Sequence, residues 1–179
     1  MIDLVYMVDG SSSQHQIRHN MTEKIVEVIK FTLNYLPSPN TSVGVVLYAA
    51  DAKTESYFNY TRNQTLQALD RLSHLPPGTL IGSSLNYTRD HLFNISRPNV
   101  HRVLVVFVNR TSNDAVSVPS NLLRDMNVTI IVVALGDWYD ASQVNSTASN
   151  PHSATILLTT HAEIVSLRWR VHEMICEGM

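Results

Sequence analysis

The chain has 179 residues, a formal net charge of -2 at neutral pH, 44% hydrophobic residues and a single cysteine. That length supports one domain with a substantial core. The near-neutral balance excludes the clustered Lys and Arg of a nucleic-acid or polybasic membrane surface, and no apolar run reaches the roughly 18 residues needed to cross a bilayer.

Taken in order, the first element is IDLVYMVD (2–9), an almost unbroken apolar run that reads as a strand covered on both faces. From Gln16 to Leu36, Ile17, Met21, Ile25, Val28, Ile29 and Leu33 recur at three and four residues, which predicts a long helix. SVGVVLYAA (42–50) is a second buried strand and TESYFNY (54–60) a polar edge strand. Leu66, Leu69 and Leu72 mark a helix ending before Pro76-Pro77, and Ile81, Leu85 and Leu92 mark another. RVLVVFVN (102–109) and VTIIVVALG (128–136) are further buried strands, separated by a short helix at Leu122-Leu123. A weaker strand, ATILLTT (154–160), precedes a last helix carrying Ile164, Leu167, Val171 and Ile175. Strands alternating with helices predict an α/β fold over 1–179: a doubly wound, mostly parallel sheet with an antiparallel edge strand and helices on both faces.

In such sheets ligands bind beyond the carboxyl ends of the strands. The first strand delivers Asp9, Ser11, Ser12 and Ser13 there, the loop PPGTLIG (76–82) brings Thr79, and the strand RVLVVFVN ends on Asn109. Three distant loops thus offer only oxygen-bearing side chains, a donor set suited to a hard divalent cation such as Mg²⁺ that keeps some of its waters.

These stretches resemble the von Willebrand factor type A family, the adhesion module of matrix proteins and integrin inserted domains. DLVYMVDGSSS (3–13) matches the family's Asp-x-Ser-x-Ser motif with Asp9, Ser11 and Ser13. GTLIGSSLNYT (78–88) resembles its Gly-Thr-x-x-Gly-x-x-Leu segment and carries Thr79, while HRVLVVFVN and VTIIVVALGD match two of its strands. The resemblance implies an extracellular adhesion module that captures an acidic side chain of a matrix protein, such as a collagen, through Mg²⁺ or Mn²⁺. Asp9, Ser11, Ser13 and Thr79 would hold the ion, with Ser12, Gly78 and Arg110 at the ligand. Where the family has Thr-Asp-Gly, this chain has Val108-Asn109-Arg110. One carboxylate is missing, so Asn109 is a weakened ligand and a bound ion keeps about +1 over its protein ligands. Asp114 and Asp137 are the candidate replacements, with Asp137 placed about two strands too far away. The other reading is a metal-free structural or assembly domain of a larger extracellular glycoprotein.

An enzyme is not expected. Gly10-Ser11-Ser12-Ser13-Gln14 lacks the second glycine of a nucleophile elbow, so Ser12 with His161 as base is disfavoured. Phosphate-loop motifs are absent, and His172-Glu173 lacks the second His of a zinc-protease helix. Trp138 and Tyr139 could contact a ligand or pack on the sheet end. Nine Asn-x-Ser/Thr triplets, at Asn20, Asn40, Asn59, Asn63, Asn86, Asn94, Asn109, Asn127 and Asn145, exceed the roughly two or three that chance predicts, favouring the secretory route. A glycan on Asn109 would cap the site. With no signal peptide at Met1, the expectation is a segment cut from a longer extracellular chain, with Cys176 either a free thiol or disulfide-bonded to a cysteine upstream of it.

Overall fold

The strands are β1 (Ile2–Asp9), β2 (Thr41–Tyr48), β3 (Ala52–Ser56), β4 (His101–Val108), β5 (Val128–Leu135) and β6 (Ile156–Thr159). They form one sheet in the order β3-β2-β1-β4-β5-β6. All pairings are parallel except β2 with β3, whose register shifts between Val45 and Val46. This computed structural model describes residues 1–11, 16–37 and 40–177, without the side chains of 16–20.

The helices are α1 (Gln16–Tyr35), α2 (Arg62–Leu69), α3 (Ile81–His91), α4 (Ser117–Asp125), α5 (Ala141–Thr147), α6 (His152–Thr155) and α7 (Arg168–Glu177). Side-chain alternation along the strands divides the core into two layers. Leu4, Tyr6 and Val8 face one way, onto Ile25, Ile29 and Leu33 of α1 and Val171 and Ile175 of α7. Val5 and Met7 face the other way, with Ile81 and Leu85 of α3, Leu123 of α4 and Val144 of α5. Each such side chain, fully buried, contributes about 1.5–3 kcal/mol relative to exposure. Both faces of the central strands are therefore dry, which is why β1, β4 and β5 are apolar almost without interruption.

Several buried polar groups of the sheet are matched. The Tyr6 phenol bonds the Thr32 hydroxyl at 2.5 Å, and Thr32 donates to the Ile29 carbonyl at 2.9 Å. Asp3, fully buried in β1, accepts from Arg97 three times: from Nε at 2.8 Å, from an Nη at 2.6 Å and from the backbone amide at 2.9 Å. The same guanidinium reaches the Ile2 carbonyl at 2.8 Å, which clasps the amino edge of the sheet.

Four elements differ from the sequence expectation. The strand expected over 154–160 is confined to 156–159, with Ala154 and Thr155 in the short helix α6. The edge strand occupies 52–56 rather than 54–60, because Tyr57–Tyr60 closes a turn instead. The last helix begins at Arg168: Ile164 is buried, but residues 161–167 form turns. Helix α5 was not anticipated. It is short, and Asp140 caps it by accepting from the amides of Ser142 and Gln143.

Candidate metal and ligand site

The strand order reverses around β1, since the chain goes to β2 on one side and to β4 on the other. This is the switch point at which doubly wound sheets leave a crevice. Asp9 ends β1 there, and its Oδ1 accepts from the Ser11 amide at 2.9 Å. Asn109 follows the end of neighbouring β4.

Asp9, Ser11 and Asn109 line one pocket of about 10 Å³ together with Met21, Thr22 and Ile25. That volume is of the order a single water or small ion occupies. Asp9 and Asn109 are each only 8% exposed. Asp9 Oδ2 and Asn109 Oδ1 are buried without a hydrogen-bond partner among the described residues. Two such oxygens at one spot are costly unless something electropositive lies between them. The Asn109 amide nitrogen contacts Met21 Sδ at 3.7 Å, which aligns the side chain. A wider groove of about 780 Å³ between α1 and α2 also touches Gly10 and Ser11, but the orphaned oxygens place the candidate ion site in the smaller one.

Thr79 is buried on the adjoining loop and is not among that pocket's lining residues. Its loop is stitched to the sheet edge: the Leu75 amide donates to Gly10 at 2.8 Å and the Leu80 amide to Ala49 at 2.9 Å. The Thr79 carbonyl accepts from the Asn113 amide at 2.8 Å, joining the loop to the segment after β4. Gly78 has a packing role here, because a Cβ on it would lie 2.6 Å from the Ala50 nitrogen. Ser12 and Ser13 lie outside the described residues.

The candidate replacements do not serve. The loop after Asn109 does fold back, but Asp114 is used on α3: Oδ1 accepts from the Gly82 amide at 2.8 Å and Oδ2 from the Ser83 amide at 2.7 Å. Burial raises its pKa, yet hydrogen bonds from Ser112, Ser83 and these amides outweigh that and lower it overall. Leu80 at the N-cap has no side chain able to do this work. Asp137 is exposed. Asp9 is thus the one carboxylate at the pocket among the described residues. Nearby, burial and the Asp9 charge push the Tyr48 phenol well above its usual range, and it donates to the Phe107 carbonyl at 2.7 Å.

A glycan on Asn109 does not fit the folded chain, since its amide nitrogen is buried against Met21. The rim is formed differently. Arg110 is exposed, and Trp138 is 78% exposed, with its carbonyl held by the Thr111 amide at 2.9 Å. Tyr139 is half-buried and packs against the core instead. Gln143 escaped sequence reading altogether: it clamps Ser112 through both amide atoms, at 2.7 and 3.1 Å, and its only signal is its place just after the capping Asp140. Cys176 is an exposed free thiol 3.7 Å from His172 Nε2.

A doubly wound sheet with Asp9, Ser11 and Asn109 gathered at its switch point defines a class, and the sequence profile of the von Willebrand factor type A domain matches residues 3–168. The chain belongs to that family. Among relatives, it is 26% identical to human matrilin-1 over 154 residues, 83% of this chain and 31% of that protein. It is 23% identical to bovine vitrin over 156 residues, 83% of this chain and 23% of that one. It thus spans less than a third of the length of either. Among solved structures it is similar to the proximal thread matrix protein 1 of the mussel byssus, with TM-score 0.88 and 21% identity over 98% of this chain and 46% of that one. A form of that protein has a zinc-occupied MIDAS motif (TM-score 0.86, 22% identity, the same coverage). The manganese-loaded TRAP protein of Plasmodium vivax is a more distant match (TM-score 0.72, 18% identity, 93% of this chain and 71% of that one).

Proposed function

We propose that this chain is an extracellular, non-catalytic interaction module of matrix-protein type that captures an acidic side chain of a protein partner through a divalent cation. Asp9 and Ser11, which line the pocket, would hold Mg²⁺ or Mn²⁺ with Asn109 as a neutral oxygen donor, and the family resemblance adds Ser13 and Thr79 to the set. The ion would supply a positive charge with an exchangeable water position, which a carboxylate from outside takes. Kinship to matrilin-1 and vitrin supports the extracellular matrix setting. A collagen-like or other matrix protein is the partner class, with Arg110 and Trp138 on the rim supplying charge and apolar contact.

One observation carries this reading: two buried, unpartnered oxygens, Asp9 Oδ2 and Asn109 Oδ1, belong to residues lining one ion-sized pocket. The neutral Asn109 favours a second reading, a metal-free assembly domain, because only one full charge attracts the ion. Calorimetric titration with Mg²⁺ and Mn²⁺ separates the two. Saturable binding that disappears in Asp9→Ala supports capture through a cation; no binding by the parent chain at tens of millimolar leaves the assembly role.

A further inference from the structure

Five of the nine Asn-x-Ser/Thr triplets gather at one end of the molecule. Asn40 precedes β2, and its carbonyl accepts from the Ile2 amide at the start of β1. Asn94 lies in the turn ahead of Arg97, whose guanidinium also binds the Ile2 carbonyl. Asn127 sits between α4 and β5 with φ of 57°. Asn59 follows the antiparallel strand β3, which runs back toward the start of β2, and Asn63 opens α2, where Arg62 donates to the Leu36 carbonyl at 2.6 Å. All five side chains are exposed. The carboxyl edge presents the contrast: its Asn109 is buried with its amide nitrogen against Met21. Asn86 and Asn145 lie on helices α3 and α5, and the side chain of Asn20 is outside the described residues.

A second observation points the same way. Tyr60 and Ile95, the middle residues of two amino-edge triplets, are 38% and 66% exposed, and Tyr57 stands beside Tyr60 with ring centroids 5.9 Å apart. A sugar on Asn59 or Asn94 would shield these exposed side chains from water.

We infer that the amino edge of the sheet carries a layer of N-linked oligosaccharides at Asn40, Asn59, Asn63, Asn94 and Asn127, leaving the carboxyl edge bare for protein contact. In each transfer the side-chain Nδ2 forms a bond to the anomeric carbon of an N-acetylglucosamine. The C–O bond to a lipid pyrophosphate carrier breaks, and the proton lost from Nδ2 leaves with the departing pyrophosphate. The folded chain tolerates sugar only where Nδ2 reaches solvent. The inference rests on the secretory setting proposed above but not on the cation, so the two fail separately.

The test is to express the full chain behind a secretory leader in animal cells, release glycans enzymatically in ¹⁸O water and map the labelled sites by peptide mass spectrometry. Label at three or more of the five amino-edge sites, with Asn109 unlabelled, is the expected result. Label at fewer than three, or at Asn109 in the folded secreted protein, overturns it.

Discussion

At the residue scale, the proposed ion site turns on Asn109. It stands beside Asp9 in a pocket whose buried oxygens lack partners. Its amide adds a dipole where a carboxylate would add a full charge. At an effective dielectric of about 20, a charge about 4 Å away is worth roughly 4 kcal/mol, reduced by exchange with water. Asn109→Asp should therefore tighten Mg²⁺ binding by tenfold or more. Without metal, two carboxylates would be buried side by side and the contact to Met21 Sδ would be lost, so the variant should unfold at a lower temperature than the parent in chelator. Its melting temperature should then rise with added Mg²⁺ more steeply than the parent's. Equal melting curves in both conditions would remove Asn109 from the account of the ion.

At the element scale, the carboxyl edge depends on helix α3 being capped from a distance. Asp114 accepts from the Gly82 and Ser83 amides, the Ser83 hydroxyl and Ser112, so one side chain fixes the loop after β4 onto α3. Replacing a cap of this kind costs about 0.5–2 kcal/mol, and Asp114→Ala should lower stability by that amount in denaturant titration. Because the folded pKa of Asp114 is lowered, its contribution is complete above the ordinary carboxylate range. It is lost as pH falls through the lowered value, so the gap between parent and variant should close in acid. This cap was not legible in the sequence, where Asp114 looks like a spare metal ligand. A contact between residues 31 positions apart has no local signature. The strands were legible because both faces of β1, β4 and β5 are buried, leaving unbroken apolar runs. Asp9 and the Ser11 position could be read from strand context alone. Helix α5 and Gln143 could not, since seven residues are too few for a helical period to stand out.

At the scale of the whole molecule, the apolar reading of β1 concealed its one buried charge at the amino end. Asp3 is fully buried and depends on Arg97, whose side chain is 36% exposed. Removing one member of such a pair leaves an uncompensated carboxylate inside, a loss of about 3–5 kcal/mol. Arg97→Met should lower the melting temperature by roughly 10 °C, and Asp3→Asn combined with it should restore much of the loss. A small effect of Arg97→Met would show that water replaces the guanidinium. The flanks of the sheet have a further consequence. Strand β3 runs against its neighbour, carries a register shift and bears the Lys53–Glu55 ion pair at 3.1 Å, while β6 offers four residues. Neither margin is a long, flat template on which another copy could pair its backbone. Two copies of this domain brought side by side would therefore not fuse laterally through the margins of their sheets.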